Sequence, residues 1–311
     1  MKVRFSLVSL GLCFLTTASA PAQPVWTGTI DGSLNTLLNW TGGAPTAADL
    51  TFTTTIRPLV TVDASISVKS LTFSGLYPSY SFSSPNASVL SIGSSGITAG
   101  AQGTSIVNFA STLTLQLAAS QIWAVDSLLN VASPIKSAPA ATTVLTKTGS
   151  GTLALSGNST YNGGTIVQLG SLIVDKSSVD SAGAVTSGPI GTGPLTIGAN
   201  TTFGAVQPGI VLGNDVSLAT GSTLVSGSNL ANGVGLTFTG KVTAATNSLL
   251  ITLVGSDPVT FAGLLDGPTN TGVVFRSGSA SAWDGAAFAG STGPNVTSIM
   301  ADDSALFFAS A

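Results

Sequence analysis

Short apolar runs alternate with glycine-rich turns along almost the whole chain, and this rhythm restricts the fold more than any other feature. Runs of four to six residues, such as 68–73, 113–117 and 152–155, are apolar or alternate apolar with polar residues, which is typical of strands. Clusters of Gly, Asn, Ser and Pro separate these runs at intervals of about 8 to 12 residues. The pattern predicts an all-β fold and leaves a sandwich, a barrel and a solenoid open.

A glycine-led phrase recurs among these strands and favours the solenoid. The phrase at 149–157 returns in looser form at 170–175, 193–198, 221–227 and 235–240. Its spacing of about 14 to 28 residues falls in the range of β-solenoid coils, and one such unit cannot bury its apolar face alone. We therefore predict stacked coils of about 25 residues, about a dozen of them, with equivalent strands about 4.8 Å apart.

The amino-terminal segment has the pattern of an export signal. Two basic residues precede an apolar run at 5–15, and Ala20-Pro21-Ala22 is a small-x-small cleavage site,. We predict a signal peptide over residues 1–22, which contains Cys13, the only cysteine. The mature chain is then free of thiols and lacks a transmembrane segment. The expected location is extracellular or on the cell surface, with the periplasm as the alternative.

The residue types available for chemistry are few. The chain has no His, and all 12 acidic residues are Asp, so the commonest general acids and bases are missing. Zinc, copper and iron also lack their usual ligands. Asp175 and Asp180 could meet across a loop with Lys176 or Arg276 as a base, whereas the adjacent Asp302–Asp303 pair would point to opposite faces of a strand. We predict no enzyme, no catalytic or metal-binding residues and no cofactor.

Charge and aromatic residues bear on possible partners. The formal net charge is −3 and no basic run occurs, which disfavours nucleic acid because phosphates require clustered Lys and Arg. Trp26, Trp40, Trp123 and Trp283 are expected in the core or as end caps, with exposed stacking on sugar rings as the alternative.

Residues 145–197 resemble the autotransporter-associated β-strand repeat of bacterial exported proteins. The family pattern is a Lys-x-Gly-x-Gly-Thr-Leu strand, an Asn-x-Tyr-x-Gly-Gly-Thr turn and a Gly-x-Leu-x-Val strand. The matching positions are Lys147, Gly149, Gly151, Thr152, Leu153, Tyr161, Gly163, Gly164, Gly170, Leu172 and Val174. The resemblance implies a right-handed parallel β-helix with a passenger-like role, and it assigns no catalytic residue.

These observations give a domain plan and an expected function. We predict a signal peptide at 1–22, an amino-terminal cap at 23–60, a β-solenoid at 61–290 and a tail or cap at 291–311. About 70 residues follow the last glycine-led phrase, too few for an outer-membrane translocator, which we expect this chain not to encode. The expected function is a structural or adhesive element of the cell surface or extracellular matrix that meets glycans or other surface proteins. The alternative is a polysaccharide-active or glycan-binding β-helix protein.

Overall fold

The computed structural model describes residues 22–53, 57–74, 79–100, 106–226, 235–255, 257–278, 285–302 and 305–308. Within these ranges the fold is all-β, and its helical content is one 3₁₀ turn at Leu37–Asn39. The predicted signal peptide, apart from Ala22, lies outside the described residues, as do Cys13 and Trp283. No helix in the described part of the chain is long and apolar enough to cross a membrane.

The strands form three stacked sheets and one hairpin. The first sheet contains β1 (Val25–Trp26), β2 (Trp40–Thr41), β3 (Asp49–Phe52), β5 (Ile66–Phe73), β7 (Val89–Ala99), β9 (Thr114–Leu117), β10 (Gln121–Val125), β12 (Ile135–Ser137), β13 (Leu145–Thr148), β15 (Thr165–Val167), β19 (Leu195–Ile197), β22 (Val216–Leu218), β25 (Val242–Ala244) and β28 (Leu265–Asp266).

The second sheet contains β4 (Leu59–Thr61), β6 (Tyr80–Ser83), β8 (Ile106–Phe109), β11 (Leu128–Val131), β14 (Thr152–Leu155), β16 (Ser171–Val174), β20 (Thr202–Ala205), β23 (Ser222–Ser226), β26 (Ser248–Gly255), β29 (Thr271–Ser277) and β31 (Val296–Asp302). The third contains β21 (Val211–Leu212), β24 (Thr237–Phe238), β27 (Val259–Phe261), β30 (Gly285–Phe288) and β32 (Ala305–Phe308). The hairpin is β17 (Val179–Ser181) and β18 (Ala184–Ser187).

Neighbouring strands of the second sheet pair in parallel, each strand lying one coil further along the chain. Leu153 stands between Leu129 and Leu172 in adjacent coils. The eleven strands of this sheet, about 4.8 Å apart, give a stack of about 50 Å. The prediction of a parallel β-solenoid is therefore confirmed, while its right-handedness stays a prediction.

Coil length varies more than the predicted repeat. Thr152 and its partner Ser171 are 19 residues apart, whereas Ser171 and Thr202 are 31 apart. The longer coil contains the antiparallel hairpin β17–β18, in which β17 is exposed and β18 alternates exposed and half-buried residues. Extra residues are thus accommodated as a surface projection while the strands keep their register.

The core consists of apolar ladders that follow the period-2 alternation of the sequence. Buried residues in register from β11 to β26 are Leu129, Leu153, Leu172, Phe203, Leu224 and Leu253. The outward residues between them are Ser, Thr, Asn and Ala at about half of the positions, and Leu, Ile, Val or Gly at the others. Each coil therefore covers the apolar face of the coil before it, which supplies the burial that a single coil lacks.

The amino-terminal end of the solenoid is covered by tryptophan. Trp26 and Trp40 are buried with ring centroids 5.2 Å apart, and Trp40 Nε1 donates to Leu34 O at 2.9 Å. Gly32 O accepts from Thr61 N, and Leu34 N donates to Thr61 O, so this segment pairs with the outer edge of β4. Trp123 is also buried. These three tryptophans are buried, as the preferred interpretation predicted, and the capping role of residues 23–60 stays a prediction.

Candidate functional site

The repeat segment places a lysine inside the solenoid. Lys147 lies on β13 between Thr146 and Thr148, and alternation turns its side chain inward, where it is 0% exposed. Its Nζ donates to main-chain oxygens of Thr148 at 3.0 Å, Gly149 at 2.6 Å and Leu169 at 2.9 Å. Burial lowers the pKa of Lys147 to about 8, although the Asp126 carboxylate partly opposes this shift. A longer bond of 3.4 Å reaches Val125 O, so the ammonium ties together carbonyls of three successive coils.

The glycine at position 170 leaves room for this lysine. Gly170 has φ +70°, and a Cβ there would lie 2.5 Å from Gly149 O and 2.7 Å from Lys147 Nζ. An L-residue would meet both backbone strain and a clash with the ammonium. The Lys and Gly positions of the repeat are thus parts of one packing arrangement.

A buried tyrosine holds the turn of the repeat. Tyr161 is 0% exposed and its hydroxyl lies 2.6 Å from Thr165 Oγ1, which in turn donates to Ile190 O at 3.1 Å. Since Thr165 Oγ1 uses its hydrogen for Ile190 O, Tyr161 donates to Thr165. Burial raises the pKa of Tyr161 well above its usual value. Gly164, with φ +92°, lies against Pro194 of the next coil, where a Cβ would be 2.3 Å from Pro194 O.

The other motif residues also have structural surroundings. The apolar side chains of Leu153, Leu172 and Val174 are buried, and Thr152 is half-buried with its side chain outward. The remaining glycines at 149, 151 and 163 lie where a Cβ would come within 2.6 Å of main-chain atoms of the preceding coil. The repeat motif is thus a set of coil-stacking contacts.

The charged residues weighed for catalysis do not converge. Arg276 pairs with Asp302 at 2.9 Å, and about half of each side chain is exposed. Asp180 in β17 accepts from Ser178 Oγ, just before the hairpin, while Asp175 directly follows β16 of the second sheet. Asp303 falls outside the described residues. In the described part of the chain, no three His, Cys, Asp or Glu side chains gather as metal ligands.

A groove of about 300 Å³ crosses the outer face of the second sheet. We call it the amide groove. Its floor follows one register column of outward residues, namely Ser81, Asn108, Asn130, Ala154 and Ile173. Asp175 and Val206 line one end. Asn130 Nδ2 donates to Asn108 Oδ1 at 2.9 Å. Sequence reasoning missed this groove because it appears only when coils of unequal length are placed in register.

Comparison with known proteins identifies the repeat. Residues 145–174 match the family model described as the passenger-associated-transport-repeat. Neither the search of curated proteins nor the search of solved structures gave a match. The matched residues begin the segment 145–197 that the sequence predicted to be such a repeat, and they form β13 to β16 of the solenoid. Residues 145–174 thus carry a passenger-associated repeat, and this repeat lies within a parallel β-solenoid that fits a passenger-like protein.

Proposed function

We propose that the protein is an exported structural and adhesive rod of the cell surface or extracellular matrix, without catalytic activity. The observation that carries this proposal is the passenger-associated repeat at 145–174 set within the stacked coils of a parallel solenoid. Passenger-like coils give a stiff rod because each strand hydrogen-bonds to its equivalents in the coils above and below.

Residue chemistry also supports a structural role. The sequence has no His and no Glu, and the buried Lys147 and Tyr161 are both engaged in packing hydrogen bonds. Because only 7% of the residues in the sequence are charged, a surface of Ser, Thr and Asn would bind partners through neutral hydrogen bonds rather than ion pairs.

Protease shaving of the native host tests the location. External protease is added to intact cells and to cells with a permeabilised outer membrane, and the chain is followed with an antibody. In intact cells we expect the protease to remove the antibody signal of the chain, or the chain to be found in the medium, while a periplasmic marker stays intact. Protection until the outer membrane is opened would refute surface display and favour the periplasm.

Amino-terminal sequencing of the exported protein tests the predicted signal peptide. Cleavage after Ala22 leaves Gln23 as the first residue, directly before β1. An intact Met1 in the exported fraction would contradict the predicted signal.

A further inference from the structure

We propose that the amide groove binds a linear, uncharged polysaccharide that runs along the solenoid axis. This inference deepens the adhesive part of the proposed function and rests on it. From Ser81 to Ile173 the groove crosses four strand-to-strand steps, a length of about 19 Å. Its volume of about 300 Å³ is at the lower end of the range for ligand sites,. The site is therefore long and shallow, which suits a chain-like ligand.

One end of the groove offers neutral hydrogen-bonding groups. After the bond between Asn130 Nδ2 and Asn108 Oδ1, the pair retains free donors on both amide nitrogens and a free acceptor at Asn130 Oδ1 within the described structure. Both side chains are half-buried, so they are held in place and still reachable. A sugar hydroxyl both donates and accepts, and it is complementary to such a pair.

The other end of the groove is apolar. Ala154 and Ile173 form a low, half-buried floor, and Val206 stands 43% exposed beside it. Such a floor accommodates the C–H face of a sugar ring, whose removal from water is favourable.

A hydroxyl ladder runs parallel to the floor. Its members, in register across successive coils, are Thr152, Ser171, Thr202, Thr223 and Thr252. Thr152 precedes Ala154 by two residues, which separates the two columns by about 7 Å. All five hydroxyl-bearing residues are half-buried. Thr152 and Ser171 stand beside Ala154 and Ile173 of the floor, and the rest of the ladder continues beyond the Val206 end of the groove. A polymer that runs along the apolar floor and past this end thus has a row of hydrogen-bonding partners at its side.

Charge and position exclude other occupants. Among the described residues that line the groove, Asp175 alone is charged, so anionic polymers lack the Lys or Arg that they require. An extended peptide binds a sheet through the main chain of an edge strand, whereas β8, β11, β14 and β16 are each paired on both sides. The occupant must therefore be neutral and must bind side chains.

Affinity electrophoresis of the exported chain tests this site. The gels contain hydroxyethylcellulose, xylan or laminarin as neutral polymers and polygalacturonate as the anionic one. The variants are Ile173→Asp and Asn130→Leu. Ile166→Asp is the matched control because Ile166 is an equally half-buried, outward isoleucine in β15 of the first sheet. Far-UV circular dichroism checks that each variant is folded.

We expect at least one neutral polymer to retard the wild type and Ile166→Asp equally. Ile173→Asp should abolish this retardation, and Asn130→Leu should raise the dissociation constant about tenfold. The proposal fails if no neutral polymer retards the wild type, if the groove variants bind as well as the control, or if polygalacturonate retards most. None of these outcomes alters the result of protease shaving, so the proposed location is judged separately.

Discussion

Replacing Lys147 by Met measures what the buried ammonium contributes to the repeat. The substitution removes three short charge-assisted bonds from Nζ, to the carbonyls of Thr148, Gly149 and Leu169, worth about 5 kcal/mol together. It also removes the cost of burying the ammonium. The fall of the Lys147 pKa from 10.5 to about 8 corresponds to about 3 kcal/mol. The net expected loss of unfolding free energy at pH 7 is about 2 kcal/mol.

Urea denaturation followed by far-UV circular dichroism gives this loss. Lys69→Met is the control, because Lys69 lies in β5 of the same sheet but is exposed, and its replacement should change the free energy by less than about 0.5 kcal/mol. A Lys147→Met variant as stable as the wild type would show that the carbonyl contacts merely offset the desolvation of the ammonium.

The pH dependence of the unfolding free energy, compared between the wild type and Lys147→Met, tests the buried charge itself. Between the folded pKa of about 8 and the unfolded value of 10.5, the unfolded chain binds more protons, so stability rises with pH. From pH 8 to pH 10 the wild type should gain about 2 kcal/mol relative to Lys147→Met. Above pH 10 the raised pKa of Tyr161 lowers stability in both proteins alike. The absence of a relative gain would refute the assigned burial of the ammonium.

Three further perturbations probe the ends and corners of the solenoid. Deletion of 25–49 removes the tryptophan cap and should cause oligomerisation through uncovered strand edges; a monomer by light scattering would contradict the capping role. Gly170→Ala should lower the free energy of unfolding by about 3 kcal/mol in urea denaturation, because of the positive φ and the clash with the Lys147 ammonium,. Gly183 also has a positive φ but lies in open space, so Gly183→Ala should lower it by only about 1 kcal/mol. Arg276→Ala breaks an exposed ion pair and should shift the free energy by less than about 1 kcal/mol.

The alternation of apolar and polar residues predicted the strands, and the recurring glycine-led phrase predicted that they stack as coils. Leu153 and Leu172 stand at equivalent places in the glycine-led phrase, and they lie in register in adjacent coils. The same alternation places Lys147 on the inner face. Its burial was still hard to predict, since charged side chains rarely enter a core without partners, and its partners are carbonyls that only the turn geometry brings together.

Register between coils is the information that the sequence lacks. Asn108 and Asn130 are 22 residues apart, Asn130 and Ala154 are 24 apart, and Ala154 and Ile173 are 19 apart. With no fixed period, the outward column that forms the amide groove cannot be aligned by counting. The hairpin β17–β18 was not predicted, because its short strands have the same composition as the turns around them.

The unusual composition follows from the stacking itself. A parallel in-register solenoid places each outward side chain about 4.8 Å from its equivalents in the neighbouring coils, so a charged position that recurs in every coil would face like charges on both sides. Ser, Thr and Asn avoid this repulsion. In the second sheet the ladder from Thr152 to Thr252 ends on Arg276 and Asp302, where opposite charges occupy adjacent coils. The same constraint that keeps the charged content at 7% therefore produces a neutral, hydroxyl-rich surface, which is the kind of surface that the proposed neutral polysaccharide requires.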